Sequence, residues 1–182
     1  MRPRTFEMVE ASAGTAIELR TDTVDSEIGP IVVVTNARAL CALDFVDCEE
    51  RMKEFLTRRF EDIVLRHEAN PLGVCEKLQA YFAGELHALD GVAVDPGGTE
   101  FQQTVWSALR KIPAGTTRTY GQLAASIGRP TASRAVGLAN SMNPVAIVIP
   151  CHRVIGRNAS LTGYAGGLPR KQWLLRHEGA LL

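Results

Sequence analysis

The sequence predicts an α+β fold in two parts, an N-terminal α/β half and a mainly helical C-terminal half. Strand-like and helix-like patterns are mixed before Asp95-Pro-Gly-Gly98, a turn-forming sequence, and helical patterns dominate after it. The charge also changes sign there. Residues 1–95 contain 10 Lys and Arg against 18 Asp and Glu, a balance of −8, whereas residues 96–182 contain 10 against 2, a balance of +8. We therefore predict domains at 1–95 and 96–182.

The first half begins with short runs rich in β-branched residues. Residues 15–19 and 31–35 predict two strands joined by a turn at Gly29-Pro30, and residues 40–46 predict a third. Apolar residues at helical spacing then predict a surface helix over 48–66. A second helix is expected over 72–83, ending before Gly84, with an apolar stripe made of Leu78, Tyr81 and Phe82.

The second half shows two helix-start signals. Thr99 with Gln102 forms one capping box, and Thr119 with Gln122 forms another. A Gly-containing turn then separates the second short helix from a third one over 131–142. Two short helices joined by a tight turn in a cationic segment indicate a helix-turn-helix, a docking surface for a polyanion such as DNA.

The third helix is expected to bury one apolar stripe and to expose small residues beside a cation. Arg134, Gly137 and Ser141 share the predicted outer side, where a bulky ligand could approach the backbone closely. A solvated arginine on a thin helix is the alternative interpretation. The predicted buried stripe consists of Ala135, Leu138, Ala139 and Met142.

Composition excludes several classes of protein. No apolar run approaches the length of a membrane span, and residues 1–7 lack the apolar core of a signal peptide. Four scattered cysteines do not form a disulfide framework and suit a reducing compartment. We expect a cytoplasmic protein with no membrane partner.

The segment that carries chemistry follows the third helix. Residues 145–149 are all apolar, and they predict a short strand buried on both sides that ends at Pro150. Cys151 would then stand at the end of a rigid strand, followed directly by His152 and Arg153. A neighbouring imidazole or cation helps a thiol to lose its proton and to attack.

The cysteine–histidine pair alone leaves other interpretations open. It could be an inert core thiol beside a histidine, a pair of metal ligands, or part of a cysteine hydrolase. Zinc requires about four ligands, and no second pair lies nearby in the sequence. Cys41 and Cys48 with His67 could form a separate zinc site, but structural thiols are favoured, so we expect no metal.

The motifs together resemble those of the O6-alkylguanine-DNA alkyltransferases, specifically the single-unit bacterial type. The match is close over residues 95–182 and looser before, where Tyr81-Phe-Ala-Gly84 resembles a family segment. The resemblance implies a ribonuclease-H-like N-terminal domain and a winged-helix-like C-terminal domain. The matching segments are Arg134-Ala-Val-Gly137, Asn143-Pro144, Pro150-Cys-His-Arg-Val154, Gly163-Tyr-Ala-Gly-Gly167 and Trp173-Leu-Leu-Arg-His-Glu-Gly179.

The resemblance also implies an activity. Such a protein moves the alkyl group of O6-alkylguanine in DNA, with O4-alkylthymine as a further candidate, irreversibly onto Cys151 in one turnover and without a cofactor. His152 would draw the thiol proton through a water molecule, and Glu178 would orient His152. Asn143 would brace the turn after the strand, and Tyr120 would rotate the target phosphate and donate to guanine.

Roles in DNA recognition follow in the same way. Arg134 would fill the gap left by the flipped nucleotide. The partners would be duplex DNA carrying the lesion and non-specific duplex DNA, bound by a monomer, with cooperative binding left open. Ala165 replaces a serine of some relatives, which leaves the tolerated alkyl size undetermined. The DNA-binding residues would be Tyr120, Thr131, Arg134, Gly137 and Ser141, and the guanine pocket would contain Val154, Tyr164 and Ala165.

Three other functions compete with this hypothesis. Alkyltransferase-like proteins bind lesions without reacting, but they lack the cysteine that is present here at Cys151. A plain helix-turn-helix regulator would not require a Cys-His pair or the partner Glu178. A thiol hydrolase would turn over many times, whereas an alkyltransferase reacts once.

Overall fold

The computed structural model describes residues 16–181 as a mixed α+β protein, which confirms the predicted fold class. Two sequence predictions concern residues outside this range: the start of the first strand at Thr15 and the interpretation of residues 1–7. No described helix combines the length and the apolar character that a bilayer-crossing segment needs.

The first half forms a four-stranded sheet with the order β3-β2-β1-β4. Strand β2 pairs antiparallel with β1 and β3, and β4 pairs parallel with β1. These elements are β1 (Ile17–Val24), β2 (Ile31–Thr35), β3 (Leu40–Phe45), α1 (Glu49–Arg59), β4 (Ile63–His67) and α2 (Val74–Phe82).

Strand β4 corrects the prediction of one helix over residues 48–66. Helix α1 ends at Arg59, and Phe60 already has extended backbone angles. Ile63 and Val64 are β-branched residues that favour a strand, and they pair with the backbone of β1. Pairing with β1 therefore overrides the helical spacing of the apolar residues.

The two faces of the sheet bury different cores. One face packs against Met52 and Leu56 of α1 in a small cluster. The other face packs against α2 and the second half of the chain, in a core that runs without a break from Phe45 through Tyr81 to Leu174. The two halves of opposite charge therefore share one hydrophobic core.

The second half contains four helices and a two-stranded parallel sheet. Both predicted capping boxes are present, with Thr99 and Thr119 accepting from the backbone of Gln102 and Gln122. The elements are α3 (Glu100–Leu109), β5 (Arg118–Thr119), α4 (Tyr120–Ser126), α5 (Ser133–Ser141), β6 (Val154–Ile155) and α6 (Leu168–His177).

Helix α5 buries only part of the predicted stripe, namely Ala139 and, partly, Met142. Val136, Ala139 and Asn140 are buried, whereas Ala135 is exposed and Leu138 is 66% exposed. The apolar pattern fits either stripe. Burial follows the one that includes Asn140, because its side-chain amide contacts the backbone oxygen of Cys151 at 3.5 Å.

Residues 145–149 are buried as predicted but do not form a strand. Only Val145 makes a bridge, to Leu43 within β3. The chain then turns tightly: Ile147 has a φ of 66°, and the amide of Ile149 donates to the oxygen of Val145 at 3.0 Å. The prediction failed because apolar run length indicates burial but not backbone geometry.

Candidate functional site

Cys151 stands directly after this tight turn, at the start of a short 3₁₀ helix, Cys151–Arg153. Cys151 is buried, with 7% of its surface exposed. Asn143 braces the turn from both ends: its side-chain oxygen accepts from the amide of Val145 at 2.9 Å, and its side-chain nitrogen donates to the oxygen of Ile149 at 2.8 Å. Asn143 therefore holds the backbone turn that precedes Cys151.

His152 and Glu178 form a fully buried pair beside the cysteine. Nε2 of His152 lies 2.9 Å from Oε1 of Glu178, a distance at which the carboxylate can orient the imidazole ring. Arg153 binds the same carboxylate through Nε at 2.9 Å and Nη2 at 2.8 Å, and its Nη1 donates to the oxygen of Ile112 at 2.5 Å. Such a two-point pair fixes the plane of the carboxylate.

The protonation states follow from this environment. Burial opposes the charged form of Glu178, but hydrogen bonds and charge from His152 and Arg153 outweigh it and hold the pKa of the carboxyl well below its usual range. Burial lowers the pKa of His152 despite the carboxylate beside it. The resting histidine is therefore neutral, with Nε2 donating to Glu178. Its Nδ1 is buried and has no hydrogen-bond partner among the described residues.

Cys151 itself rests as a thiol. Burial raises the pKa of the thiol, while the Asn143 side chain and the charges of Arg51 and Lys171 oppose this rise. A base must therefore remove the proton before the sulfur can attack. The unprotonated Nδ1 of the adjacent His152 is chemically suited to that task.

A cavity of about 320 Å³ leads to the sulfur. It is a cleft between the loop at residues 163–166, the N-terminus of α4 and the C-terminal part of α5. Its walls include predicted pocket residues Tyr164 and Ala165. The full lining comprises Asp44, Arg51, Tyr120, Gly137, Asn140, Ser141, Asn143, Ala146, Cys151, Gly163, Tyr164, Ala165 and Gly166.

Val154 does not line this cavity, although the sequence analysis placed it in the guanine pocket. It is fully buried in β6, where its oxygen accepts from the buried ammonium of Lys171 at 2.6 Å. Lys171 also donates to the oxygen of Thr162 at 2.7 Å. Lys171 thus links β6 to Thr162, the residue before the loop at residues 163–166. Val154 supports this wall of the cavity without lining it.

Close packing fixes the rest of the wall. A Cβ on Gly166 would lie 2.7 Å from the ring of Phe45, so only glycine fits there. The hydroxyl of Tyr164 is buried and has no hydrogen-bond partner among the described residues. This polar atom is available to a ligand that enters the cavity.

Six residues of the lining were not predicted as site residues, and two of them, Asp44 and Arg51, are charged. The carboxylate of Asp44 pairs with Arg51, whose Nη2 donates to the backbone oxygens of Ser141 at 2.9 Å and Asn143 at 2.8 Å. Nothing local distinguishes Arg51 from the other charged residues of α1. Only the fold brings it to the cavity.

Of the predicted DNA-binding residues, Tyr120, Gly137 and Ser141 line the cavity, whereas Thr131 and Arg134 do not. Thr131, in the turn before α5, and Arg134 and Ser141 of α5 are exposed, and Gly137 is half-buried. Arg134 makes no hydrogen bond or ion pair with any other residue in the range 16–181. Half-buried Tyr120 lies beside Gly137, at whose position a Cβ would be 3.7 Å from the tyrosine ring.

Potential metal ligands are not gathered anywhere in the described part of the chain. No group of three or more His, Cys, Asp or Glu residues is arranged to hold an ion there, and Cys41, Cys48 and His67 do not come together. His67 instead lies 3.9 Å from Asp22. All four cysteines are free thiols.

A cationic helix pair with an unpaired arginine, beside a cavity that ends on a buried thiol and an imidazole–carboxylate pair, defines a nucleic-acid-binding protein with a reactive cysteine. Two family models match the chain: the ribonuclease-like domain of 6-O-methylguanine DNA methyltransferase over residues 19–96 and the DNA binding domain over residues 100–180. The chain therefore belongs to the 6-O-methylguanine DNA methyltransferase family.

Individual relatives agree with this assignment. The chain is 49% identical over 174 residues to a methylated-DNA–protein-cysteine methyltransferase of Salmonella typhimurium, covering 91% of this chain and 99% of the relative. A protein of the same name from Methanosarcina acetivorans is 47% identical over 156 residues, 86% and 96% of the two chains. The crystal structure of Mycobacterium tuberculosis OGT in complex with DNA is similar at a TM-score of 0.75 and 42% identity, covering 90% and 94%.

Proposed function

We propose that this protein repairs DNA by direct reversal, moving the alkyl group of O6-alkylguanine onto the sulfur of Cys151. As a member of its family, the chain is a methylated-DNA–protein-cysteine methyltransferase, and it binds DNA through its C-terminal half. The observation that carries the site assignment is the position of Cys151, at the end of a cavity whose mouth is flanked by α5. O4-alkylthymine is a second candidate lesion.

The first step is removal of the thiol proton. Nδ1 of His152 accepts the proton of Cys151, with a water molecule as carrier, and Glu178 stabilises the imidazolium through Nε2. Asn143 keeps the sulfur in place by bracing the turn before it. The thiolate then has a neutralising cation next to it instead of bulk water.

The second step is displacement at the alkyl carbon. A carbon–sulfur bond forms as the carbon–O6 bond breaks, and its electron pair remains on guanine. Guanine then gains a proton, with the hydroxyl of Tyr120 as the donor near the base. Tyr120 regains a proton from solvent and His152 returns to solvent the proton taken from Cys151, so no net proton is gained or lost. The product is a thioether on Cys151. Because its carbon–sulfur bond is chemically stable, each molecule reacts once, and the transfer needs no cofactor.

The target base must leave the helix to reach this cavity. A stacked base hides O6 from a sulfur that is 7% exposed, and extrusion costs a few kcal/mol. Arg134 fills the gap that the nucleotide leaves, while Thr131, Gly137 and Ser141 let α5 approach the duplex. Tyr164 and Ala165 contact the flipped guanine, with Val154 as support behind the wall rather than as a lining residue.

The finer architecture belongs to the same proposal. We assign residues 1–95 to a ribonuclease-H-like domain and 96–182 to a helix-turn-helix, winged-helix-like domain. The protein acts as a monomer in the cytoplasm, where reducing conditions keep Cys151 a free thiol. The charge balance of +8 after residue 95 supports non-specific attraction to duplex DNA.

Intact-mass spectrometry after incubation with an O6-methylguanine oligonucleotide tests the proposal. We expect one methyl increment per molecule, located on the Cys151 peptide, and none in Cys151→Ser, which still binds DNA because α5 is unchanged. Repeated turnover without a mass change would favour a hydrolase instead. Methyl uptake by Cys151→Ser would place the nucleophile elsewhere. DNA affinity should fall steeply with added salt.

A further inference from the structure

Tyr81 connects the first half of the chain to the buried carboxylate of the reactive site. It lies in α2 and is 1% exposed. Its hydroxyl donates to Oε1 of Glu178 at 2.7 Å, across 97 positions of sequence. The segment Tyr81-Phe-Ala-Gly84 resembles a family motif, but the steps proposed above give it no role.

The oxygen that Tyr81 contacts is the one that holds the histidine. Oε1 of Glu178 receives Nε2 of His152 at 2.9 Å and Nη2 of Arg153 at 2.8 Å, in addition to Tyr81. A carboxylate oxygen has two lone pairs, so three donors compete for its electron density. The hydrogen bond from Tyr81 therefore limits how strongly Glu178 attracts a proton on His152.

The tyrosine is itself held in place by α6. Nε2 of His177 lies 2.7 Å from the backbone oxygen of Tyr81, and the rings of Tyr81 and His177 meet edge to face at 5.1 Å. Phe82 packs against both rings. The direction of the hydroxyl is thus set by packing, not by its bond to Glu178 alone.

We infer that Tyr81 is a positioning residue for alkyl transfer: through its hydroxyl, the first half of the chain sets the orientation and the proton affinity of the His152–Glu178 pair. The inference rests on the proposed function, in which His152 takes the proton of Cys151. It gives the N-terminal half a part in the reaction beyond supporting the fold.

The expected sign follows from the charged groups around the histidine. Glu178 favours the protonated form of His152, whereas Arg153, Lys171 and burial disfavour it. Without the Tyr81 hydroxyl, Oε1 has one donor fewer and becomes a stronger acceptor for the protonated histidine. The pKa of His152 then rises, and the acidic limb of the pH–rate profile moves to higher pH.

The test is Tyr81→Phe, which keeps the ring and removes only the hydroxyl. Single-turnover methyl transfer from an O6-methylguanine duplex is measured from pH 5.5 to 8.5. We expect a plateau rate about threefold to thirtyfold lower, an acidic limb displaced upward by roughly half a pH unit, and unchanged DNA affinity. Leu56→Ala is the control, because it weakens the small core on the opposite face of the sheet.

A second readout does not depend on DNA. The rate at which iodoacetamide labels Cys151, followed on the Cys151 peptide, should show the same displaced acidic limb in Tyr81→Phe. Profiles that superimpose on those of the unmodified protein in both assays, or an equal displacement in Leu56→Ala, would overturn the inference. If the unmodified protein transfers no methyl group, the proposed function fails, and the iodoacetamide profiles still decide the role of Tyr81.

Discussion

Nη2 of Arg51 lies 2.8 Å from the backbone oxygen of Asn143, the residue whose side chain holds the turn before Cys151. The same nitrogen donates to Ser141, the last residue of α5. One guanidinium from α1 therefore ties together the end of α5 and the turn before Cys151. Its charge is balanced by the buried carboxylate of Asp44.

Replacing this guanidinium tests how much the link matters. Arg51→Lys keeps the charge, but a single ammonium cannot reach Asp44, Ser141 and Asn143 with the geometry of a planar fork. We expect the free energy of unfolding to fall by about 1–3 kcal/mol, because buried Asp44 loses part of its compensation. Methyl transfer should also slow. Urea denaturation and single-turnover kinetics measure the two effects.

Arg58→Lys is the matched control on the same helix. Arg58 pairs with Glu54 one turn away, and both side chains are mostly exposed. Its replacement should change the free energy of unfolding by less than about 0.5 kcal/mol. Equal losses in the two variants would show that the bridge from Arg51 has no special importance.

Local signals in the sequence were sufficient for the starts of α3 and α4. The capping boxes of Thr99 and Thr119 depend on residues three positions away, so the sequence alone specifies them. The neighbouring pair Cys151–His152 and the two short helices before it were also visible as local patterns in the sequence. Each depends on neighbours in the sequence or on motifs that lie close together.

Features that depend on distant partners could not be predicted. Strand β4 exists because it pairs with β1, 46 positions earlier in the chain. Arg51 lies at the cavity although it is 92 positions before Asn143 in the sequence. The buried stripe of α5 depends on a contact between Asn140 and Cys151 that the apolar pattern of the helix does not contain.

Gly137→Ala should separate folding from DNA binding. A Cβ at this position would lie 3.7 Å from the ring of Tyr120, an ordinary contact, so the free protein can accept it. Replacing a helix-interior glycine should raise the free energy of unfolding by about 0.5–1 kcal/mol. The added methyl stands where α5 approaches the duplex, and we expect DNA affinity to fall about tenfold.

Ser107→Ala is the control for helix propensity, because Ser107 is an exposed residue inside α3. It should stabilise slightly and leave the dissociation constant for duplex DNA unchanged. Thermal unfolding and fluorescence anisotropy give the two quantities. Tight DNA binding by Gly137→Ala would mean that the backbone of α5 does not approach the duplex at this glycine.

The depressed pKa of Glu178 predicts how the buried pair responds to acid. A carboxyl whose folded pKa lies below its unfolded value of 4.5 adds stability that is complete above pH 4.5 and is lost as pH falls toward the folded pKa. The difference in unfolding free energy between the unmodified protein and Glu178→Gln should therefore include this full contribution of the carboxylate above about pH 4.5. It should shrink below about pH 4.5.

Urea denaturation at a series of pH values measures this difference, and subtraction removes the contribution of the other carboxylates. Glu54→Gln, at an exposed position on α1, should show a difference close to zero throughout. A Glu178→Gln difference that stays constant down to pH 3, while both proteins remain folded, would contradict the ionised pair with His152 and Arg153.

Arg134 should matter for duplex DNA and not for the chemistry. Its side chain is exposed and makes no hydrogen bond or ion pair with another described residue, so Arg134→Ala should change the free energy of unfolding by less than about 0.5 kcal/mol. Filling the gap left by a flipped base offsets part of the unstacking cost. We expect repair of an O6-methylguanine duplex to slow about tenfold to a hundredfold, with the reaction of free O6-methylguanine base unchanged.

Arg176→Ala is the control, because it removes another exposed cation, from α6, and it should affect duplex repair only slightly. If Arg134→Ala slowed both substrates equally, the arginine would be acting on the reactive site rather than on the DNA, and base extrusion would require another residue.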